Sequence, residues 1–104
     1  MPLYTFVMEY AGGTYISQVK APSPKSACVK GAQQIDLSEV SALGLRGKES
    51  LINQVKEESP VALVGLSNAW CKSALVRGRL VLISLVQTER SNNRRPSLNG
   101  RAPA

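Results

Sequence analysis

The chain has 104 residues, 43% of them apolar and 19% charged, with two cysteines, no histidine and a formal charge of +6. That composition describes one small globular domain and excludes a disordered chain. Without histidine, and with Cys28 and Cys71 far apart, the usual four-ligand zinc site is excluded as well; no metal and no cofactor are expected.

The charge is unevenly placed. Arg90, Arg94, Arg95 and Arg101 stand near the C-terminus with no acid after Glu89, and the other nine basic residues face seven acids, so residues 1–89 carry only +2. A nucleic-acid partner is suggested by the total and disfavoured by its distribution. The opening MPLYTFVMEYAGG has no basic start and no long apolar run, so a reducing cytoplasm and two buried free thiols are expected. LVLISLV at 80–86 falls far short of the roughly 20 residues a membrane-spanning helix needs, so no membrane partner is expected.

LYTFVMEY alternates Tyr4, Phe6, Met8 and Tyr10 against Leu3, Thr5, Val7 and Glu9, the period of a strand. Ala11-Gly12-Gly13 supplies positive φ for a tight connection, and TYISQVK is a second β-rich run, so residues 3–20 predict a hairpin. Next, Ser23 caps a helix with Pro24 at its first position, and Cys28, Ala32 and Ile35 share one face. Gly31 weakens this helix by roughly 1 kcal/mol relative to Ala, yet permits close approach of another element. Gly44 and Gly47 are expected to break the following stretch, leaving a second helix over 48–58 that Ser59-Pro60 ends.

From Pro60 the pattern turns to β: PVALVG, NAWCKSALV and RLVLISLVQTE. The middle run suits either a strand or a helix closed by Gly78, and a hairpin turning at Arg77-Gly78 is the simpler topology. Apolar residues at both parities of the last run predict a central strand covered on both faces. The order β-β-α-α-β-β-β predicts an α+β fold, one mostly antiparallel sheet with helices on one face, spanning residues 1–89. The other face, expected to carry Tyr, Thr and Val, needs cover, and a second copy would provide it. A homo-oligomer, first of all a dimer, is therefore expected.

SNNRRPSLNGRAPA, from residue 91, has few apolar anchors, so residues 90–104 read as a flexible basic tail. Its codons carry the sharper signal. Arg94-Arg95-Pro96-Ser97 can be written CGG CGC CCT TCC, and Gly100-Arg101-Ala102-Pro103 as its reverse complement, GGA AGG GCG CCG. Arg90-Ser91-Asn92 permits G-TCT-AAC. A core of this kind followed by an imperfect inverted repeat resembles the recombination site of an integron gene cassette. The resemblance implies that the product comes from a mobile cassette and that the tail's charge reflects DNA folding.

Candidate sites are few. ALGLRGKES lacks the leading glycine and the Ser/Thr of a P-loop, since those places hold Ala42 and Glu49. LGLRGKESLINQVKEE is similar to a helix-hairpin-helix in opening a helix at Gly47-Lys48, but Gly-x-Gly is missing, and the start of a helix is the plainer reading. Arg46, Gly47, Lys48, Arg77 and Arg79 are the candidate anion contacts. A Gly-containing hairpin followed by SPKSACVKGA resembles HicB-type antitoxins in topology, without that family's Pro-Gly-Cys loop; an antitoxin-like regulator is the alternative function. Tyr4, Phe6, Tyr15 and Trp70 are candidates to line a pocket or an interface. No catalytic residue is expected, because no pair of acid–base groups and no base beside Cys71 are evident. The small-molecule or protein partner is left open.

Overall fold

Two strands, Leu3–Tyr10 (β1) and Gly13–Lys20 (β2), open the computed structural model, which describes residues 1–89. Residues 90–104, with the tail and cassette readings placed on them, lie outside the described residues. Tyr10 pairs with Gly13, leaving Ala11 and Gly12 as a two-residue loop with φ of 50° and 84°. Two positive φ values are what a type I′ turn needs to match the right-handed twist of its strands.

Helix α1 spans Pro24–Gln33, with the Ser23 hydroxyl accepting from the Ser26 N–H at 3.2 Å. Cys28 and Ala32 are buried; Ile35 packs on the core just past the helix end. Helix α2 spans Gly44–Glu57 and corrects the expected start at Lys48. Gly44, at φ +69°, turns the chain into the helix, and Gly47 lets the first turn lie close to the sheet. A Cβ at Gly47 would come within 3.2 Å of Val76 Cγ1. These glycines make a contact where a break was expected.

The third β run is shorter than expected: β3 is Val61–Ala62 alone, antiparallel to Trp70 and Cys71. Ala69–Val76 (β4) is a strand, as the hairpin reading holds, and Arg79–Glu89 (β5) completes the sheet. Arg77 and Gly78 form the second two-residue loop, again with two positive φ values, 53° and 77°.

The sheet order is β2-β1-β5-β4-β3, antiparallel throughout. The fold is α+β, with both helices on one face, as the element order implies. Tyr4, Phe6, Met8, Ile83 and Leu85 from the sheet meet Ala27, Cys28, Leu51 and Val55 from the helices in one core. The Tyr10 hydroxyl donates to the Val76 carbonyl at 3.2 Å, which satisfies a polar group inside that core.

The β4 edge is closed by a side chain. Gln54 accepts from the Leu75 N–H at 3.2 Å and donates to the Leu75 carbonyl at 2.9 Å, standing in for a neighbouring strand. Leu63 N–H donates to the Ala69 carbonyl at 3.0 Å further along.

Burial pushes the Cys28 thiol up from 9.0 to about 11, with the Lys72 ammonium pulling weakly the other way. The thiol of the unfolded chain ionises first, so between pH 9 and about 11 the unfolded state holds fewer protons and stability falls as pH rises. Cys28→Ala is expected to remove about 2–3 kcal/mol of that alkaline loss. Urea unfolding of both proteins from pH 8 to 11 measures the difference, and parallel profiles would contradict it.

Candidate functional site

Because side chains alternate along a strand, the residues facing away from the helices form a second surface. Ile16, Val7, Ser84, Cys71 and Val61 lie in one row across all five strands. The next row holds Thr14, Glu9, Leu82 and Ser73, and Leu80 pairs with Leu75 beyond it. On the other side stand Gln18, Thr5, Val86 and Ala69. The middle row of this face is uncharged, and Glu9 stands in the row beside it.

It is also open to solvent. Ile16 is 68% exposed, Val61 66%, Leu75 64%, Leu80 55% and Leu82 44%. This corrects two expectations: β5 is central but the described residues cover it on one face only, and the open face carries Leu, Ile and Val without tyrosine. Tyr4, Tyr10 and Tyr15 all lie on the helix side. The apolar residues at both parities of β5 were the available signal, since two short helices suffice for one face only.

Next to this face the chain makes an apolar turn. Leu66 N–H donates to the Leu63 carbonyl at 3.1 Å, Gly65 has φ +90°, and Val64 at the tip is fully exposed. A groove of about 590 Å³ beside it is lined by Val61, Cys71, Leu82 and Ser73, with Glu58, Ser59 and Lys72. Lys72 is the buried charged residue of the described structure, and its Nζ lies 2.8 Å from Oε1 of the exposed Glu58 carboxylate. Hydrogen bonding to Lys72, then its charge, holds the Glu58 carboxyl below its ordinary value. The pair neutralises a cation that burial would otherwise penalise.

The sequence-derived residues fall elsewhere. Tyr4 and Trp70 meet edge to face, centroids 5.9 Å apart, on the helix side of the sheet. Phe6 and Tyr15 share a small cleft of about 80 Å³ with Gly31, Gln34 and Val40. The four are thus two pairs, and both belong to the core side. Among the candidate anion contacts, Gly47 is buried and Lys48 donates to the Ile35 carbonyl at 2.9 Å. Arg77 runs along the first turn of α2, close to Gly44 and Gly47, while Arg46 and Arg79 are exposed. Asp36 is held below its ordinary value by hydrogen bonds from Ser38, with Lys48 adding a smaller charge effect.

Cys28 and Cys71 are free thiols; the first is buried as expected, but the second is only half-buried, because its place in β4 turns it to the open face. Among the described residues no three metal-ligating side chains gather, and no helix is long and apolar enough to cross a membrane. No protein-family model, curated protein or solved structure matches the chain.

Proposed function

We propose that the protein is a non-enzymatic binding or interaction module of the cytoplasm, encoded by an integron gene cassette. It works as a homo-oligomer, in its simplest form a dimer joined across the open sheet face. The observation that carries the assembly is the uncharged apolar centre of that face. Fully burying one Val or Leu removes roughly 60–120 Å² of apolar surface from water, the area equivalent of about 1.5–3 kcal/mol. On that scale the exposed parts of Ile16, Val61, Val64, Leu66, Leu75, Leu80 and Leu82 come to about 400 Å² per copy. That is about half of the ~800 Å² per partner in a standard interface, and interfaces are little more than half apolar.

A second copy is the natural occupant, because the same face on both subunits is self-complementary about a two-fold axis. Thr5, Thr14, Gln18 and Ser73 provide a polar rim. Support for a non-enzymatic role comes from the thiols and acids themselves: Cys28 is kept protonated by burial, and Glu58 is engaged by Lys72. The cassette reading rests on the codon argument for residues 90–103.

A nucleic-acid regulator has one observation in its favour: α2 begins with Arg46 and Lys48, has no acid in its first turn, and receives the Arg77 side chain there. One experiment separates the two readings. Sedimentation of the full chain and of a chain ending at Glu89 is expected to give twice the chain mass for both. Salt-sensitive DNA binding is expected to vanish with the tail. A monomer at high concentration would overturn the assembly, and DNA binding that survives truncation would favour the regulator. Gene codons 90–103 that form no stem would remove the cassette origin.

A further inference from the structure

Resting on that dimer reading, we infer that the turn Leu63–Leu66 is an arm that seats in a second copy's groove beside β3, and that the two copies exchange arms reciprocally.

Residues 60–66 read PVALVGL, apolar throughout, and 61–66 are all exposed. Val64 is 103% exposed, so the described residues offer it no cover. The projection is nevertheless built, with one hydrogen bond closing the turn and another from Leu63 tying its base to Ala69. A tip held in its turn by hydrogen bonds loses less conformational freedom on docking than an open segment, which favours association.

The complementary feature lies on the same corner of the molecule. The groove has Val61, Cys71 and Leu82 for its apolar floor, and Val61 belongs to the strand from which the arm departs. A two-fold axis passing beside β3 brings each tip to the other copy's groove, so one contact is made twice. The groove is continuous with the open sheet face through Leu82 and Cys71. Arm and face therefore form a single surface whose apolar area matches what a stable dimer needs.

Cys71 makes the inference measurable, since it lies on the groove floor while Cys28 is buried and held protonated. At neutral pH a maleimide reads Cys71 selectively. For the full chain, alkylation is expected to be about tenfold slower in a concentrated, dimeric sample than in a dilute, monomeric one, because the floor is covered. Val64→Asp is expected to weaken association about 100-fold and to abolish that protection. Leu45→Asp, a charge at a site 64% exposed on α2, changes neither. Alkylation of two thiols would report an unfolded variant, in which case Val64→Ser repeats the test without adding charge.

A Val64→Asp protein that remains dimeric with Cys71 protected overturns the arm and leaves the sheet-face dimer standing. Protection of Cys71 in a sample that sediments as monomer means another occupant, and overturns the arm too. A wild-type chain that is monomeric at every concentration overturns the dimer reading itself.

Discussion

Gly31→Ala is expected to destabilise the protein by about 2–3 kcal/mol, although Ala is the better helix former by about 1 kcal/mol. The added methyl would come within 2.6 Å of Phe6 Cγ and Cε2. Phe6 is 2% exposed and its ring sits among core residues, so it yields only by disturbing them. Overpacking of this kind forces shifts in backbone or rotamer that outweigh the propensity gain. At 4–8 °C per kcal/mol for a domain of this size, the melting temperature should fall by roughly 10–20 °C. Gly47→Ala is the instructive contrast. Its Cβ would meet Leu43 Cδ1 and Val76 Cγ1 at 3.2 Å and Arg77 Cδ at 3.3 Å, a crowding of tenths of an ångström against side-chain atoms. It should stay within about 1 kcal/mol of the parent, because the helix gain offsets the strain. Calorimetry of both variants decides the matter, and a stabilised Gly31→Ala would show that α1 does not rest on the Phe6 ring.

Ser84→Arg is expected to dissociate the dimer proposed above while leaving the protomer folded. Ser84 is exposed at the centre of the open face, between Val7 and Cys71 on the neighbouring strands. In the monomer the guanidinium would be solvated at little cost. In a face-to-face dimer both cations would lose their water inside the apolar contact, with Glu9 diagonal to them in the adjacent row and not opposite. Desolvation of the pair costs about 3 kcal/mol, which corresponds to a dissociation constant about 100-fold higher. Sedimentation velocity over a concentration series reads this directly, alongside far-ultraviolet circular dichroism as the control for folding. An unchanged constant would mean that the sheet face is not the contact.

The sheet frame is legible in the sequence because both hairpins have two-residue loops containing glycine, Ala11-Gly12 and Arg77-Gly78, flanked by alternating or β-rich runs. The α1 start is legible for a similar reason: Ser23-Pro24 leaves the chain few alternatives. The α2 start is hidden because glycine has two uses. Gly44 adopts positive φ and Gly47 allows close approach, and a one-dimensional pattern shows both as interruptions. The open face is half legible. Alternation separates its residues from the core set, but composition does not show which side the helices choose, so the tyrosines expected on the open face lie on the helix side. Val61–Leu66 is the least legible part, since an apolar run ordinarily reads as a buried strand, whereas here only Val61 and Ala62 pair and their side chains remain exposed.

The β1·β5 pairing joins the first strand to the last, Leu3 opposite Glu89. At about 5–20 residues per second, the ribosome takes roughly 3–14 s after Lys20 to supply that partner. Throughout this interval the nascent hairpin presents Tyr4, Phe6, Met8 and Tyr10 without the strand that will shield their neighbours. A premature stop codon at the start of β5 would remove the middle of the sheet, not its margin. Truncated products should therefore be aggregation-prone and depend on chaperones, whereas a break at the β2 margin would leave the other strands paired.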